Sequence, residues 1–311
     1  MTTLAFLGTP ESAVPALRAL VAAGHDVTLV VSRADRRRGR GGGFSPSPVK
    51  AAAIELGIAV TDRLAALVEA GVELGVVVAY GRIIPVSVLE RVPMVNVHFS
   101  LLPRWRGAAP VERALLAGDR TTGVCIMEVE EGLDTGGVYA RREVAIGARE
   151  SADQLRGRLA TLGAELLVAT LEPVRDQGVA GLGTPQPQQG DPTYAAKIDV
   201  AELVLRWERP ADELDRLVRV GRAHSTFRGQ RLGVLEAEPR PVEPGEAADA
   251  GRRGPPSGGP REPGTLVGTA VVTGSGNLEL LRVQPAGGRA MAASDWLRGV
   301  RPVPGERLGG G

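Results

Sequence analysis

One apolar segment carries two polar side chains whose types and spacing could support chemistry. Asn96 and His98 stand two residues apart in the predicted strand Met94–Phe99, so both point to the same face of a sheet. A buried strand normally carries apolar residues on both faces, and open α/β sheets bind ligands beyond the carboxyl ends of their strands. A carboxamide and an imidazole together at that edge therefore favour a functional site over two capped core residues.

A carboxylate is the third candidate. Asp134 lies in the glycine-rich turn Glu130–Gly137, which follows a predicted strand over residues 122–129. Aspartate and glycine dominate turns for conformational reasons alone. The position by itself therefore does not separate a functional carboxylate from a turn-former.

Positive charge is concentrated in one segment. Five arginines occur between Arg33 and Arg40, and a run of glycines follows them. This composition is equally consistent with a solvated surface loop and with a loop that orders on a polyanion, because dense like charges repel one another until a polyanion neutralises them. The net charge of the chain is only +1, so any attraction to nucleic acid is local.

The surrounding elements predict an α/β fold. A strand near the amino terminus, a helix over residues 12–23 and a strand over 27–31 form a βαβ unit, which indicates a parallel sheet. Further strands are expected over residues 74–79, 94–99, 122–129 and 138–144. A long amphipathic helix over 151–177 should cover the sheet. The turn Gly8-Thr9-Pro10-Glu11-Ser12 has only the first of the three glycines of a dinucleotide-binding fingerprint, which excludes a nicotinamide or flavin site there.

The composition predicts two domains, over residues 1–182 and 204–311, joined by a linker over 183–203. The second domain should contain two short helices, over 212–221 and over 294–298, the latter closed by Gly299. Its strands are expected over residues 231–236, 264–272 and 278–283. A small, partly open, OB-like β-barrel accommodates these elements, and such barrels often bind nucleic acid. Residues 239–263 are rich in Pro, Gly and charge, and this composition predicts a disordered insertion.

Bulk features narrow the class of protein. Cys125 is the only cysteine, which excludes an internal disulfide and is typical of a reducing compartment. No apolar run reaches membrane-spanning length, and Met1 leads almost directly into a strand, so no signal peptide is expected. The three histidines lie far apart in the sequence, without metal-ligand spacing. We expect a cytoplasmic monomer without a bound metal and without membrane association.

Several motifs together resemble the folate-dependent formyltransferases. They are Asn96-x-His98, Ser100–Gly107 (Ser-Leu-Leu-Pro-Arg-Trp-Arg-Gly) and Gly132-Leu133-Asp134-Thr135-Gly136. The segments Asp35–Lys50 and Met291–Gly299 are similar to a basic insertion loop and a final helix of the family members that act on methionyl initiator tRNA. The chain departs from that pattern at Gly221–Phe227, where those members have an Asn-Pro-Trp-Pro-like turn. The insertion over 239–263 is also longer than expected.

The resemblance implies a formyltransferase fold, with a Rossmann-like, mostly parallel sheet, helices on both faces and a tRNA-binding C-terminal domain. It implies 10-formyltetrahydrofolate as the donor and the α-amine of methionyl initiator tRNA as the acceptor, a step of translation initiation. The implied catalytic residues are Asn96, His98 and Asp134. The residues implied to bind the folate are Ser100, Leu101, Leu102, Pro103, Tyr80, Gly81 and Ile84. Those implied to bind tRNA are Arg36, Arg37, Arg38, Arg40 and Lys50.

The implied reaction suits these residue types. Attack of an amine on a formyl carbon creates an oxyanion, to which Asn96 and His98 could donate hydrogen bonds. Loss of one such donor costs about 10²–10³ in turnover. The amine must also lose a proton, a transfer worth about 10²–10⁴, which His98, oriented by Asp134, could carry toward the leaving folate nitrogen.

Two alternatives stay open. A formyltransferase acting on a small amine, such as an amino sugar nucleotide or a small ribonucleotide amine, would share the catalytic residues. It would have no use for the arginine-rich segment or for a C-terminal barrel. A non-catalytic relative that binds folate or RNA is disfavoured because Asn96, His98 and Asp134 are all present.

Overall fold

The computed structural model describes residues 2–37, 44–240 and 261–309. Contacts divide the chain into two compact units. The first comprises Met1–Ala114, Arg120–Gly147 and Asp153–Lys197, and the second comprises Leu115–Asp119, Ala148–Ala152 and Ile198–Gly311. Most of the predicted linker, up to Lys197, therefore packs within the first unit.

A seven-stranded sheet forms the centre of the first unit. The described strands up to residue 145, of which β3 and β4 form a separate hairpin, are β1 (Thr3–Gly8), β2 (Asp26–Val31), β3 (Arg36–Arg37), β4 (Phe44–Ser45), β5 (Ala59–Thr61), β6 (Leu74–Val78), β7 (Met94–His98), β8 (Thr121–Glu128) and β9 (Val138–Ala145). The sheet has the order β5-β2-β1-β6-β7-β8-β9. Pairing is parallel from β5 to β7 and antiparallel from β7 to β9. This confirms the predicted mostly parallel sheet.

Seven described α-helices up to residue 177 alternate along the chain with the strands of this unit or follow them. They are α1 (Val14–Ala22), α2 (Pro48–Glu55), α3 (Ala65–Glu69), α4 (Val86–Leu89), α5 (Pro110–Ala117), α6 (Ala152–Leu171) and α7 (Val174–Gln177). The prediction of one helix over 151–177 is wrong, because the chain breaks between α6 and α7 at Pro173, which has no N–H to donate. The sequence pattern does not indicate β5 and α3, since both are too short to show a period.

One face of β7 is covered by α6. A Cβ atom on Gly163 of that helix would lie 2.8 Å from Val97 Cγ1 and 3.5 Å from Phe99 Cε1. Only glycine permits this close approach of helix and strand. Because successive side chains of a strand alternate, Asn96 and His98 point to the opposite face, as the sequence predicts.

The arginine-rich segment differs from the predicted loop where the structure describes it. Arg36 and Arg37 form β3, and they pair with Ser45 and Phe44 of β4 in a short antiparallel hairpin. Arg38 and Arg40, together with the glycine run, lie outside the described residues. The prediction of an irregular loop is therefore wrong at Arg36 and Arg37.

The second unit is built on an antiparallel sheet. Its described strands are β10 (His224–Phe227), β11 (Gln230–Arg240), β12 (Leu266–Val267), β13 (Ala270–Val272), β14 (Asn277–Pro285) and β15 (Met291–Ala292). Their order is β10-β11-β14-β13-β12, and β15 also pairs with β14. Helices α8 (Ala211–Val220) and α9 (Ala293–Val300) contribute Leu214 and Trp296 to a common core with Trp207 and Phe227. The antiparallel sheet agrees with the expected fold, while closure into an OB-like barrel stays a prediction.

Several boundaries in this unit differ from the predicted ones. The single strand expected over 264–272 is a hairpin of β12 and β13, in which Gly268 turns with a φ of +61°. Pro239 and Arg240, predicted to begin the disordered insertion, belong to β11 and pair with Leu278 and Asn277 of β14. Residues 241–260 of that insertion lie outside the described ranges. Helix α9 continues through Gly299, because Arg301 takes the left-handed conformation that ends it.

Among residues 2–37, 44–240 and 261–309, no helix combines the length and the apolar composition needed to cross a bilayer.

Candidate active site

The imidazole of His98 is the centre of the candidate site. Its side chain is only 6% exposed, and Nε2 lies 2.9 Å from the carbonyl oxygen of Trp105. A carbonyl oxygen can only accept a hydrogen bond, so Nε2 carries the hydrogen. Nδ1 is therefore the ring nitrogen that is left for chemistry.

The carboxylate of Asp134 faces this nitrogen. Asp134 Oδ2 lies 3.6 Å from His98 Nδ1, which is longer than a hydrogen bond. The same oxygen accepts the N–H of Gly107 at 2.7 Å. The backbone thus holds the carboxylate, and Trp105 rather than Asp134 orients the His98 ring. Asp134 acts on the imidazole through its charge, and the two form an ion pair when His98 is protonated.

Both backbone contacts come from residues 105–107, and this segment is itself held in place. Trp105 has a φ of +65°, a conformation that persists in a bulky residue only where its surroundings impose it. Its N–H donates to Thr193 Oγ1 at 2.8 Å, and the N–H of Arg106 donates to the Thr193 carbonyl at 2.8 Å. The predicted linker therefore supports the segment that holds His98 and Asp134.

Asp134 reaches the site from the other end of β7. Because β8 is antiparallel to β7, its last residue, Glu128, lies opposite Val95, whereas His98 lies opposite Cys125. The turn that follows β8 must return along the face of the sheet to bring Asp134 to His98. Asp134 has a φ of +50° in this turn, and a Cβ on Gly136 would lie 2.1 Å from the Glu128 carbonyl oxygen. The glycine is therefore required for this path.

Asn96 lies beside His98 on the same face of β7. Its side chain is half-buried. Within the described part of the chain its carboxamide makes no hydrogen bond. The N–H groups of this carboxamide are thus available to an external oxygen, as the proposed oxyanion contact requires.

The residues expected to bind the folate divide into buried and accessible ones. Ser100 is fully buried and donates its hydroxyl to the Arg104 carbonyl at 2.6 Å. Leu102 is buried in a cluster with Cys125, Met127 and Val138. These two side chains shape the segment and do not face solvent. Leu101 and Pro103 are half-buried.

The turn after β6 is the other expected folate contact, and it starts next to the end of β7, since Val77 pairs with Asn96. Tyr80 is buried in the core, where burial raises the pKa of its hydroxyl. Gly81 has a φ of +73°, and Ile84 packs partly against the core. Ile83, which the motifs do not single out, is 92% exposed. The accessible apolar surface of this turn is therefore Ile83 rather than Tyr80.

Of the residues expected to bind tRNA, Lys50 has a side-chain contact that the structure describes. It lies in the first turn of α2, and its Nζ contacts the carboxylate of Asp35 at 2.8 and 2.9 Å. Its charge is therefore compensated within the protein. The other expected contacts are the arginines of β3 and the two that lie outside the described residues.

Within residues 2–37, 44–240 and 261–309, no group of three His, Cys, Asp or Glu side chains could hold a metal ion. The single cysteine, Cys125, is buried, and this burial raises the pKa of its thiol.

Comparison with known proteins gives consistent matches over nearly the whole chain. The sequence profile of the formyl transferase family matches residues 2–171, and that of the formyl transferase C-terminal domain matches residues 197–301. A methionyl-tRNA formyltransferase of Halorhodospira halophila is 46% identical over 313 residues, which cover 97% of this chain and 98% of that protein.

Solved structures share the fold at low identity. Methionyl-tRNA formyltransferase from Clostridium thermocellum superposes with a TM-score of 0.57 at 17% identity, over 76% of this chain and 93% of that one. HypX from Aquifex aeolicus in complex with tetrahydrofolic acid gives 0.60 at 18% identity, over 96% of this chain and 47% of that one. From the profile matches and the near-full-length relative, this chain belongs to the formyl transferase family.

Proposed function

We propose that this chain transfers the formyl group of 10-formyltetrahydrofolate to the α-amine of methionyl initiator tRNA, producing formylmethionyl-tRNA for translation initiation. The observation that carries the proposal is similarity to a methionyl-tRNA formyltransferase over 97% of this chain. That likeness spans the residues of the candidate site and also the second unit. We expect the enzyme to act as a cytoplasmic monomer without a metal ion.

The donor site is proposed at the edge where β6 and β7 end. The exposed Ile83 side chain offers apolar surface for a flat ring system, and the backbone of residues 100–103 lies beside His98 in sequence. When bound, the folate supplies an activated formyl carbon. Asn96, whose carboxamide makes no hydrogen bond within the described part of the chain, is the proposed hydrogen-bond donor to the formyl oxygen as its negative charge develops.

His98 is proposed to move the proton. A free α-amine has a pKa near 8, and esterification of the carboxyl group should lower it. A neutral fraction is therefore present at physiological pH and attacks the formyl carbon directly. The amine nitrogen becomes positive in the new N–C bond, and His98 Nδ1 removes its proton. The resulting imidazolium is stabilised by Asp134, 3.6 Å away. The same proton passes to the folate nitrogen as its bond to the formyl carbon breaks, which restores neutral His98.

The acceptor is proposed from charge and size. A small amine makes no use of the arginines between 36 and 40, while an acceptor stem presents phosphates that such arginines can neutralise. The antiparallel sheet of the second unit is likewise proposed to contact tRNA.

The test is direct formyl transfer. Purified protein is mixed with 10-formyltetrahydrofolate and methionyl initiator tRNA, and formylmethionine is measured after hydrolysis of the ester. Free methionine and a charged elongator tRNA are the controls. We expect formylmethionine with the initiator tRNA and with neither of the two controls. Absence of product alongside measurable folate binding would reject the tRNA acceptor and favour a small amine, and absence of both would favour a non-catalytic role.

A further inference from the structure

Gln188 connects the two segments that hold the catalytic pair, although it comes from the predicted linker. Its Nε2 donates to the carbonyl oxygens of Asp134 and Gly136, both at 2.8 Å. Its Oε1 accepts from Nε and Nη2 of Arg106, at 3.0 and 2.7 Å. A carboxamide has two N–H donors and two acceptor lone pairs, so the Gln188 side chain is fully used.

These contacts adjoin the backbone groups that fix the geometry of the pair. Arg106 lies between Trp105, whose carbonyl binds His98, and Gly107, whose N–H binds Asp134. On the other side, Asp134 has a φ of +50°, which a non-glycine residue keeps only with support from its surroundings. Gln188 therefore bridges the His98 support and the Asp134 turn.

We propose that Gln188 is a positioning residue for formyl transfer, which sets the separation of Asp134 from His98 and acts through Asp134 without touching a substrate. The rate effect rests on the proposed function. Neither a charged side chain of the same shape nor an apolar one of similar length can replace the carboxamide of Gln188. Glutamate would accept from Arg106 but would place a carboxylate against two carbonyl oxygens, and methionine has a similar length but no hydrogen-bonding groups.

The expected effect falls on the chemical step. A shift of the catalytic groups of about 1 Å costs about 100-fold in rate, so Gln188→Met should lower kcat by about 10-fold to 100-fold. KM for either substrate should stay within about threefold, because the Gln188 side chain is used by Arg106 and by two backbone carbonyl groups rather than by a substrate. Gln188→Glu should be impaired to a similar extent. Gln189→Met is the matched control, since Gln189 is the exposed neighbour, and it should keep full kcat.

A double substitution separates this role from a general structural one. If Gln188 acts through Asp134, then Gln188→Met should lower kcat by less than about twofold further in an Asp134→Asn background, since coupled residues are not additive. Fully multiplied losses would overturn the inference. So would a folded Gln188→Met variant with the kcat of Gln189→Met.

A second readout does not depend on turnover. The chain has three histidines, so their ring signals can be assigned in ¹⁵N NMR spectra by single substitutions. Gln188→Met should move the His98 ring signals and leave those of His25 and His224 in place. Unchanged His98 signals would overturn the inference. If the unsubstituted protein transfers no formyl group, the proposed function fails, while these spectra still decide whether Gln188 positions the pair.

Discussion

Replacement of Asp134 by asparagine isolates the charge of the carboxylate that is proposed to act in catalysis. Asparagine is among the residues that adopt a positive φ most readily, so it tolerates the φ of +50° at this position. Its carboxamide oxygen can also accept the Gly107 N–H that Asp134 Oδ2 accepts now. The turn should therefore keep its structure, and the main loss is the negative charge beside His98.

The size of the effect follows from the separation of the two groups. When His98 holds the proton, a positive ring lies 3.6 Å from the carboxylate, and Coulomb's law at an effective dielectric constant of about 20 gives about 4.6 kcal/mol. The dipole of the asparagine amide recovers part of this, so we expect a net loss of about 2–4.5 kcal/mol. At about 1.4 kcal/mol per factor of ten, Asp134→Asn should slow transfer by about 30-fold to 2,000-fold.

Single-turnover formyl transfer at saturating donor and acceptor is the appropriate assay, because it reports chemistry rather than binding. Asp191→Asn is the matched control, since it removes the same charge from an exposed position of the segment that supports the site. A thermal melt checks that both variants are folded. A folded Asp134→Asn enzyme with a rate within about threefold of the control would refute the charge argument.

Three further predictions concern stability and binding. Gly163→Ala should destabilise the protein by about 1–3 kcal/mol, because its Cβ would lie 2.8 Å from Val97. Gly157→Ala in the same helix, where a Cβ meets nothing within 4 Å, should stabilise it by about 0.5–1 kcal/mol; denaturant titration measures both, and equal effects would contradict the packing. Burial, with Arg175 adding to it, lowers the pKa of His25 below 6.5. As the pH falls through 6.5, His25 is therefore protonated in the unfolded chain before it is protonated in the folded one, and the free energy of unfolding decreases. His25→Gln should lose less unfolding free energy between pH 7 and pH 5 than the parent, and equal losses in the two proteins would reject this cause. Affinity for methionyl initiator tRNA should fall steeply with salt. Replacing the arginines at 36, 37, 38 and 40 by glutamine should reduce the slope of log affinity against log salt by about 3–4, whereas an unchanged slope would remove these arginines from the interface.

Local sequence was sufficient for the elements that have a period. Alternation along residues 94–99 places Asn96 and His98 on one face of β7, and Gly163 confirms that the other face packs against a helix. Uninterrupted apolar runs predict the buried parallel strands, because a strand that is covered on both faces carries apolar residues at successive positions. Helix α8 follows from the spacing of Leu214, Leu217 and Val218, all of which are buried. In each case the signal is contained within about ten residues of chain.

The irregular segments were not determined in this way. Within the turn after β6, burial of Tyr80 and exposure of Ile83 depend on the path of the backbone, and a turn has no period from which that path can be deduced. The ion pair between Lys50 and Asp35 likewise depends on where α2 lies relative to the chain before it. The motif that contains Lys50 therefore does not show whether its charge is free.

The working geometry of the site was decided only by the tertiary structure. The sequence supplies Asn96, His98 and Asp134, but the 3.6 Å separation of His98 from Asp134 joins two distant parts of the chain. The contact of His98 with the Trp105 carbonyl depends on the path of the loop after β7. Gln188 and Thr193 support this arrangement from a segment whose Pro, Gly and Gln composition predicts a linker. Hydrogen bonds between segments tens of residues apart form only after the sheet has paired and the turns have closed over its face, so no local pattern encodes them.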